Sequence, residues 1–158
     1  MKKPENLDPL RAFHVCLEME HAGSEFYNRA ALASTAPETR DVFLKMTESA
    51  VKHEKAFREI ITAKSGDKKF MKPYQSDEAV SYISHLAKRD PFGGKASAGQ
   101  FSLEEAVYAG LEAAKTSILL YTELKNLADK PTAAVFERIL RDEKTQYVML
   151  SEVLGEKT

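Results

Sequence analysis

Apolar residues recur at three- and four-residue steps in four long stretches of this 158-residue chain. Such spacing places the apolar side chains on one face of an α-helix, so it predicts four long helices. No stretch shows a sustained alternation of apolar and polar residues, and we therefore predict no β-sheet. The predicted core faces include Phe13, Cys16, Phe26 and Tyr27, then Phe43, Met46 and Phe57, then Val107, Leu111 and Ile118, and finally Phe136, Ile139 and Leu150.

Capping residues and prolines mark the boundaries of these helices. Asp, Ser and Pro are favoured at helix starts, and Gly is favoured just after helix ends. The predicted starts are Asp8-Pro9, Pro37, Ser102 and Pro131, and the predicted ends are Ser65-Gly66, about Leu127 and Gly155. Ser102 with Glu105 also forms the pattern of a capping box.

The stretch 65–101, between the second and third long helices, has a different composition. It contains two prolines and three glycines after Gly66, with a short helical pattern near 77–88. The other two joints are short and imply antiparallel neighbours, whereas this long crossover lets the third helix run parallel to the second. We therefore predict an all-α protein, a ferritin-like four-helix bundle with a long crossover that contains a short helix.

Composition and charge restrict the function. The length fits one domain over 1–158, and a net charge of −1 gives no basis for binding nucleic acid or an anionic membrane. One cysteine cannot form an internal disulfide or a four-thiolate metal site. The N-terminus lacks the apolar region of a secretion signal, and no apolar run is long enough for a membrane span. We therefore expect a cytoplasmic protein.

The two halves of the chain repeat one pattern of polar residues on the predicted core faces. Glu20 is followed by Tyr27 and then by Ala50 and His53; about 94 residues later, Ala114 is followed by Tyr121 and then by Glu143 and Gln146. Superimposed, the halves read as a lone Glu followed one helix later by Glu-x-x-His. Used twice in a helical bundle, this unit binds two metal ions.

Helical geometry indicates that these positions converge. Glu20 and Tyr27 are seven residues apart and share a face, and Ala50 and His53 are one turn apart within the apolar stripe of the second helix. Glu143 lies on the apolar face of the fourth helix. A buried carboxylate without a partner costs several kcal/mol, roughly, so Glu20 and Glu143 require a stabilising contact.

On these residues the chain resembles the rubrerythrin-type branch of the ferritin-like di-iron carboxylate proteins. The segments that carry the resemblance are 17–27, 43–57, 117–125 and 139–144, which together with their surroundings span about residues 8–154. The four-cysteine rubredoxin-like tail of full rubrerythrins is missing. The family implies di-iron oxidoreductase or peroxidase ancestry, and because it commonly dimerises, it implies a homodimer. The sequence does not indicate an electron donor.

The resemblance also implies a role for each position. Glu20 matches the terminal carboxylate of the first iron, His53 matches its imidazole, and Glu143 matches one of two bridging carboxylates. Ala50 stands where the family has the second bridging carboxylate. Ala114 and Gln146 stand where it has the Glu and the His that bind only the second iron, so none of the three positions carries the expected ligand. Tyr27 and Tyr121 match tyrosines that hydrogen-bond to ligand carboxylates. The resemblance therefore implies at most one ion, of iron, zinc or manganese, with a residual redox role.

Other interpretations of these residues stay open at this stage. The Glu20, His53 and Glu143 group also fits a metal-free polar cluster in which a protonated His53 lies between carboxylates, as in a structural or protein-interaction module. Cys16 fits a small core residue, and His14, His21 and His85 fit surface or packing positions. The crossover aromatics fit either a partner subunit or their own bundle; they are Tyr74, Tyr82, Phe92 and Phe101.

Overall fold

The computed structural model describes residues 8–66, 71–74, 76–92 and 102–155, and these contain five α-helices. They are α1 (Pro9–Ala33), α2 (Pro37–Lys64), α3 (Asp77–Ala87), α4 (Leu103–Leu127) and α5 (Lys130–Val153). Within the described residues the only β-type pairing is an isolated bridge between Met71 and Ala128. The prediction of an all-α protein is confirmed over these ranges. None of the described helices combines the length and hydrophobicity of a membrane span.

Side-chain caps determine where the helices begin. The Asp8 carboxylate accepts a hydrogen bond from the Leu10 amide, with Pro9 in the first turn of α1. Ser102 and Glu105 form the reciprocal capping box at the start of α4. Asp129 caps α5 by accepting from the Thr132 amide, so α5 begins one residue before the predicted Pro131. These contacts satisfy amides that have no partner inside the helix.

The four long helices pack as two antiparallel hairpins. The α1–α2 hairpin and the α4–α5 hairpin each have a connection of three or fewer residues between their helices. The hairpins meet where α2 contacts α5 and α1 contacts α4, and α3 packs against α1 and α4. The long helices therefore surround a common interior to which both hairpins contribute.

Two clusters of buried side chains fill this interior. One cluster contains a group of aromatic rings whose centroids lie 5.3–6.3 Å apart, namely Phe13, Phe57, Tyr121 and Phe136. The other cluster includes Phe26, Tyr27, Phe43 and Phe92. Along α1, α2 and α5, the residues of the two clusters are separated by Glu20, His53 and Glu143 respectively. The polar positions therefore lie at mid-height in the apolar interior.

The segment between α2 and α4 contacts the long helices at three described places. The Lys72 amide donates to the Leu127 carbonyl at 2.6 Å, beside the Met71–Ala128 bridge. The α3 helix, capped by Ser76, buries Val80 and Ile83. Phe92 is buried against Phe26 and Tyr27.

These contacts show, for some of the crossover aromatics, whether the side chain packs on its own chain. Phe92 covers its own bundle, and Tyr74 packs at the edge of the first cluster, whereas Tyr82 is exposed. Phe101 lies outside the described residues, as do residues 67–70 and the glycines after Phe92.

Candidate metal centre

Each of the four long helices contributes a side chain to a buried polar group between the two apolar clusters. Glu20 comes from α1, His53 from α2, Tyr121 from α4 and Glu143 from α5. Glu20, His53 and Glu143 are 6%, 2% and 5% exposed, and one ligand atom from each lies within 4.8 Å of the other two. Because the three residues project from apolar stripes, the packing of the helices brings them together. The group can hold one metal ion.

The two ring nitrogens of His53 face different groups. Nδ1 lies 3.4 Å from Glu20 Oε1 and 3.5 Å from Glu143 Oε1. These separations are long for a hydrogen bond, and the buried Nδ1 makes none of good geometry. Nε2 lies 2.8 Å from Asp142 Oδ2, and since a carboxylate only accepts, Nε2 carries the proton. This contact directs Nδ1 toward the two glutamates.

Tyr121 supplies the hydrogen bond that the buried Glu20 requires. Its hydroxyl donates to Glu20 Oε1 at 2.9 Å, and the tyrosine is fully buried. A bond to a charged acceptor is stronger than one between neutral groups, so it offsets part of the cost of burying the carboxylate. Tyr121 thereby positions the oxygen that also faces His53.

The pKa values of His53 and Glu143 are both raised, for different reasons. Burial alone lowers the pKa of His53, but its contacts with Glu143, Glu20 and Asp142 outweigh this and raise the pKa to about 11. Burial, and then the charge of Glu20, raise the pKa of Glu143 to about 8, although His53 opposes the rise. Because these groups interact closely, they titrate together, and both shifts favour protonation of the group when no metal is bound.

Tyr27 also lies near the two glutamates, but it makes a different set of contacts from Tyr121. Its buried ring packs on Phe26, Phe43 and Phe92, and its hydroxyl makes no hydrogen bond to the described residues. Burial, then the charges of Glu143 and Glu20, raise the pKa of this hydroxyl well above its usual value. Of the two predicted tyrosines, Tyr121 is the one that bonds to a carboxylate of the polar group.

The three positions where a ligand type is missing are also buried. Ala50 and Ala114 are 2% and 1% exposed, so they face the interior as the repeat predicts. The Gln146 amide is committed to a different contact, since its Nε2 donates to Ser49 Oγ at 2.8 Å. Neither alanine can coordinate, and these positions therefore provide no carboxylate or imidazole for a second ion.

Two residues of the site, Asp142 and Ser49, were missed by the sequence analysis. Asp142 is next to Glu143 on α5 and is 44% exposed, so nothing in the helical pattern distinguished it from a solvated residue. Ser49 lies 3.3 Å from His53 Nε2. Ser49 precedes His53 by one helical turn, and that spacing was a signal that could have identified it.

The remaining candidate residues lie away from the site chemistry. Cys16 is fully buried in the first cluster, where burial and then the charge of Glu20 raise the pKa of its thiol well above the usual value. It behaves as a small apolar residue. His21 is exposed and paired with Glu25 and Glu54, and His14 and His85 are exposed as well.

A cavity of about 310 Å³ lies beside the polar group. Its wall includes both glutamates, together with Tyr27 and Gln146. The cavity therefore adjoins both glutamates and Gln146.

Comparisons with protein families, with curated proteins and with solved structures found no match to this chain.

Proposed function

We propose that the chain is a ferritin-like protein of the rubrerythrin type whose site has lost half its ligands and binds one transition-metal ion. The ligands are His53 Nδ1 and the carboxylates of Glu20 and Glu143. Support for the fold comes from the two hairpins, with α3 in the crossover between them. Support for the site comes from one converging residue on each long helix.

The observation that carries the proposal is the environment of His53. A buried ring nitrogen without a directed hydrogen bond faces two carboxylate oxygens, while the other ring nitrogen donates to Asp142. Metal-binding histidines commonly donate their second N–H to a carboxylate, which fixes the tautomer and orients the ring. Asp142 is the carboxylate that accepts this hydrogen bond from His53.

The donor set supports one ion and restricts its identity. One imidazole and two carboxylates suit zinc, ferrous iron or manganese, with water completing the coordination. With iron or manganese the site has a one-electron couple, whereas zinc has none. A single ion cannot divide the two electrons of peroxide reduction between two metals, so the proposal includes no dinuclear chemistry.

A second candidate is a metal-free structural or interaction module, and one observation favours it. All three carboxylates around His53 are placed to stabilise an imidazolium, which raises the pKa of His53 to about 11. The protonated cluster is therefore a stable alternative to the metal complex. A metal must displace these protons, so its apparent affinity rises with pH.

Metal content distinguishes the two functions. Protein purified without chelators and then loaded with zinc, ferrous iron or manganese should contain at most about one ion per chain. His53→Ala should remove most of that occupancy, because it deletes the only nitrogen ligand, whereas His85→Ala, at an exposed histidine, should retain it. Asp142→Ala should weaken binding by about 10- to 100-fold, the usual effect of losing such a partner. Elemental analysis and competition with a chromogenic chelator measure both quantities.

Two results would contradict the metal proposal. Two ions per chain would show that ligands outside this group take part. No ion in the wild-type protein at pH 8, with the helices intact, would favour the metal-free module.

A further inference from the structure

The cavity beside the polar group has the size of an organic-ligand site. An engineered cavity of about 150 Å³ binds benzene, and a water molecule occupies about 30 Å³ of liquid. At about 310 Å³ this cavity has roughly twice the volume of the benzene site. The space is thus larger than water coordination to a single ion requires.

The wall of the cavity has a buried polar part, apolar sides and a charged outer edge. Its buried polar part is formed by Glu20, Glu143 and Gln146, and apolar side chains form the sides, namely Val15, Met19, Ala22, Ala113 and Phe92. Exposed residues of both signs lie at the outer edge, among them Arg11 and Glu18. A ligand with an apolar body and one polar end would match this arrangement.

Tyr27 adds a hydroxyl without a protein partner to the wall of the cavity. Its side chain is only 5% exposed and lines the cavity, and its hydroxyl has no hydrogen-bond partner among the described residues. Since His53 Nδ1 is the one fully buried side-chain nitrogen or oxygen without a partner in the part of the chain that the structure describes, the Tyr27 hydroxyl is accessible from the cavity. A ligand atom in the cavity can accept that bond.

We propose that the cavity binds a small neutral alcohol or phenol with an apolar body of about ten non-hydrogen atoms. The ligand hydroxyl accepts from Tyr27 and donates to a glutamate oxygen. A carboxylate at this end would face two glutamates, and an ammonium would supply no acceptor for Tyr27. The apolar body packs against Met19, Ala113 and Phe92.

The site goes beyond the metal centre and does not require it, since each glutamate has two oxygens and the hydroxyl contact uses only one of them. Metal content is measured on the same samples. Protein that carries one zinc ion and binds no alcohol would contradict the cavity proposal alone. Protein that binds the alcohol without taking up any metal would contradict the metal proposal alone.

A series of nearly isosteric probes tests the end group. We would titrate 2-phenylethanol, 2-phenylethylamine, phenylacetate and ethylbenzene into ¹⁵N-labelled protein, with zinc and with chelator. The alcohol should bind saturably and most tightly, with the largest amide shifts at Gly23 and Ala113, both in the cavity wall. Phenylacetate should bind most weakly.

Variants test the location. Ala113→Leu fills the cavity and should abolish binding, whereas Ala134→Leu, at an exposed site on α5, should not. If Ala113→Leu does not fold, Ala22→Leu at the partly exposed edge of the same wall replaces it. Tyr27→Phe should lower the affinity for the alcohol by roughly three- to tenfold and leave the affinity for ethylbenzene unchanged. Tyr147→Phe is the matched control.

Three results would overturn the proposal. Tighter binding of the amine than of the alcohol would show that charge, not a neutral hydroxyl, selects the ligand. Equal affinities for ethylbenzene and 2-phenylethanol would show that the Tyr27 hydroxyl does not contribute to binding. Absence of saturable binding by every probe, or binding that survives a folded cavity-filling variant, would exclude the cavity as the site.

Discussion

Among the residues that the structure describes, the bond from Tyr121 to Glu20 is the only directed hydrogen bond between the glutamates and the rest of the polar group. Tyr121→Phe removes this donor and leaves the buried carboxylate with the long contact to His53 and the neighbouring Glu143. We expect a loss of about 1–3 kcal/mol in the free energy of unfolding, the usual cost of such a deletion. Tyr108→Phe, on the same helix but 53% exposed, should change stability little. Urea denaturation of both variants measures the difference; equal stabilities would show that water replaces the lost hydroxyl.

The pKa values of His53 and Glu143 predict how the stability of the metal-free protein depends on pH. Both are raised in the folded state, from 6.5 to about 11 and from 4.5 to about 8. The protonated forms therefore favour folding. The contribution of Glu143 is complete below pH 4.5 and is lost as pH rises through 8, and that of His53 is complete below pH 6.5 and is lost toward pH 11.

We accordingly expect the free energy of unfolding to fall between pH 5 and pH 9, with a slope of up to about 1.4 kcal/mol per pH unit for each titrating group. Glu143→Gln should flatten the lower part of this profile, whereas Glu137→Gln, exposed on the same helix, should not. Chemical denaturation in chelator at several pH values measures the profile. Stability that rises with pH would contradict the assignment of charges.

At the residue scale, the sequence predicted which side chains face the interior better than it predicted their partners. Glu20, His53 and Glu143 could be found because helical spacing determines the face of each residue. The bond from Tyr121 to Glu20 depends on the relative heights of α1 and α4, which spacing within one helix does not contain. Asp142 could not be found because it reaches His53 from a largely exposed position.

Packing between α4 and α5 is close at Gly110. A β-carbon added there would lie 2.7 Å from Leu150 Cδ1, whereas one added at Gly23 on α1 would meet its nearest atom, Tyr27 Cε2, at 3.5 Å. Gly110→Ala should therefore destabilise the protein by about 1–3 kcal/mol through overpacking. Gly23→Ala should be neutral or stabilise by up to about 1 kcal/mol, because alanine favours the helix. Thermal melts of the two variants test this; equal melting temperatures would show that Leu150 adjusts freely.

At the element scale, the helices were predictable because their boundaries are local. Asp8, Ser102 and Asp129 cap their own helices, and such contacts depend on a few neighbouring residues. The bridge between Met71 and Ala128 was not predictable, since it joins residues far apart in the chain and involves only backbone groups. The packing of Phe92 on Phe26 and Tyr27 could not be predicted, because it also joins residues far apart in the chain.

The whole molecule should keep its fold when metal is removed. Two large apolar clusters hold the helices together, unlike small zinc domains, which fold only with metal. We expect far-ultraviolet circular dichroism in excess chelator to retain its helical signal, with a melting temperature shifted but still cooperative. A loss of most helicity would make the metal a structural requirement.

Restoring the lost ligands tests the interpretation of the entire site. Ala50→Glu, Ala114→Glu and Gln146→His, combined in one variant, recreate the repeated pattern at three buried positions. Without metal the variant should be less stable than the parent, because it buries two further carboxylates. With ferrous iron and oxygen it should bind about two ions and absorb in the near-ultraviolet as an oxo-bridged pair. A stable variant that takes up no iron would show that the positions do not converge.

The division of the polar group between two hairpins has a consequence for the order of folding. Contacts within a hairpin join residues close in sequence, whereas the Tyr121–Glu20 bond spans 101 positions and His53–Asp142 spans 89. Closing short loops costs less chain entropy than closing long ones, so each hairpin can form before the two dock. The site then exists only after docking, and a bound ion would act as a crosslink that slows the separation of the hairpins during unfolding.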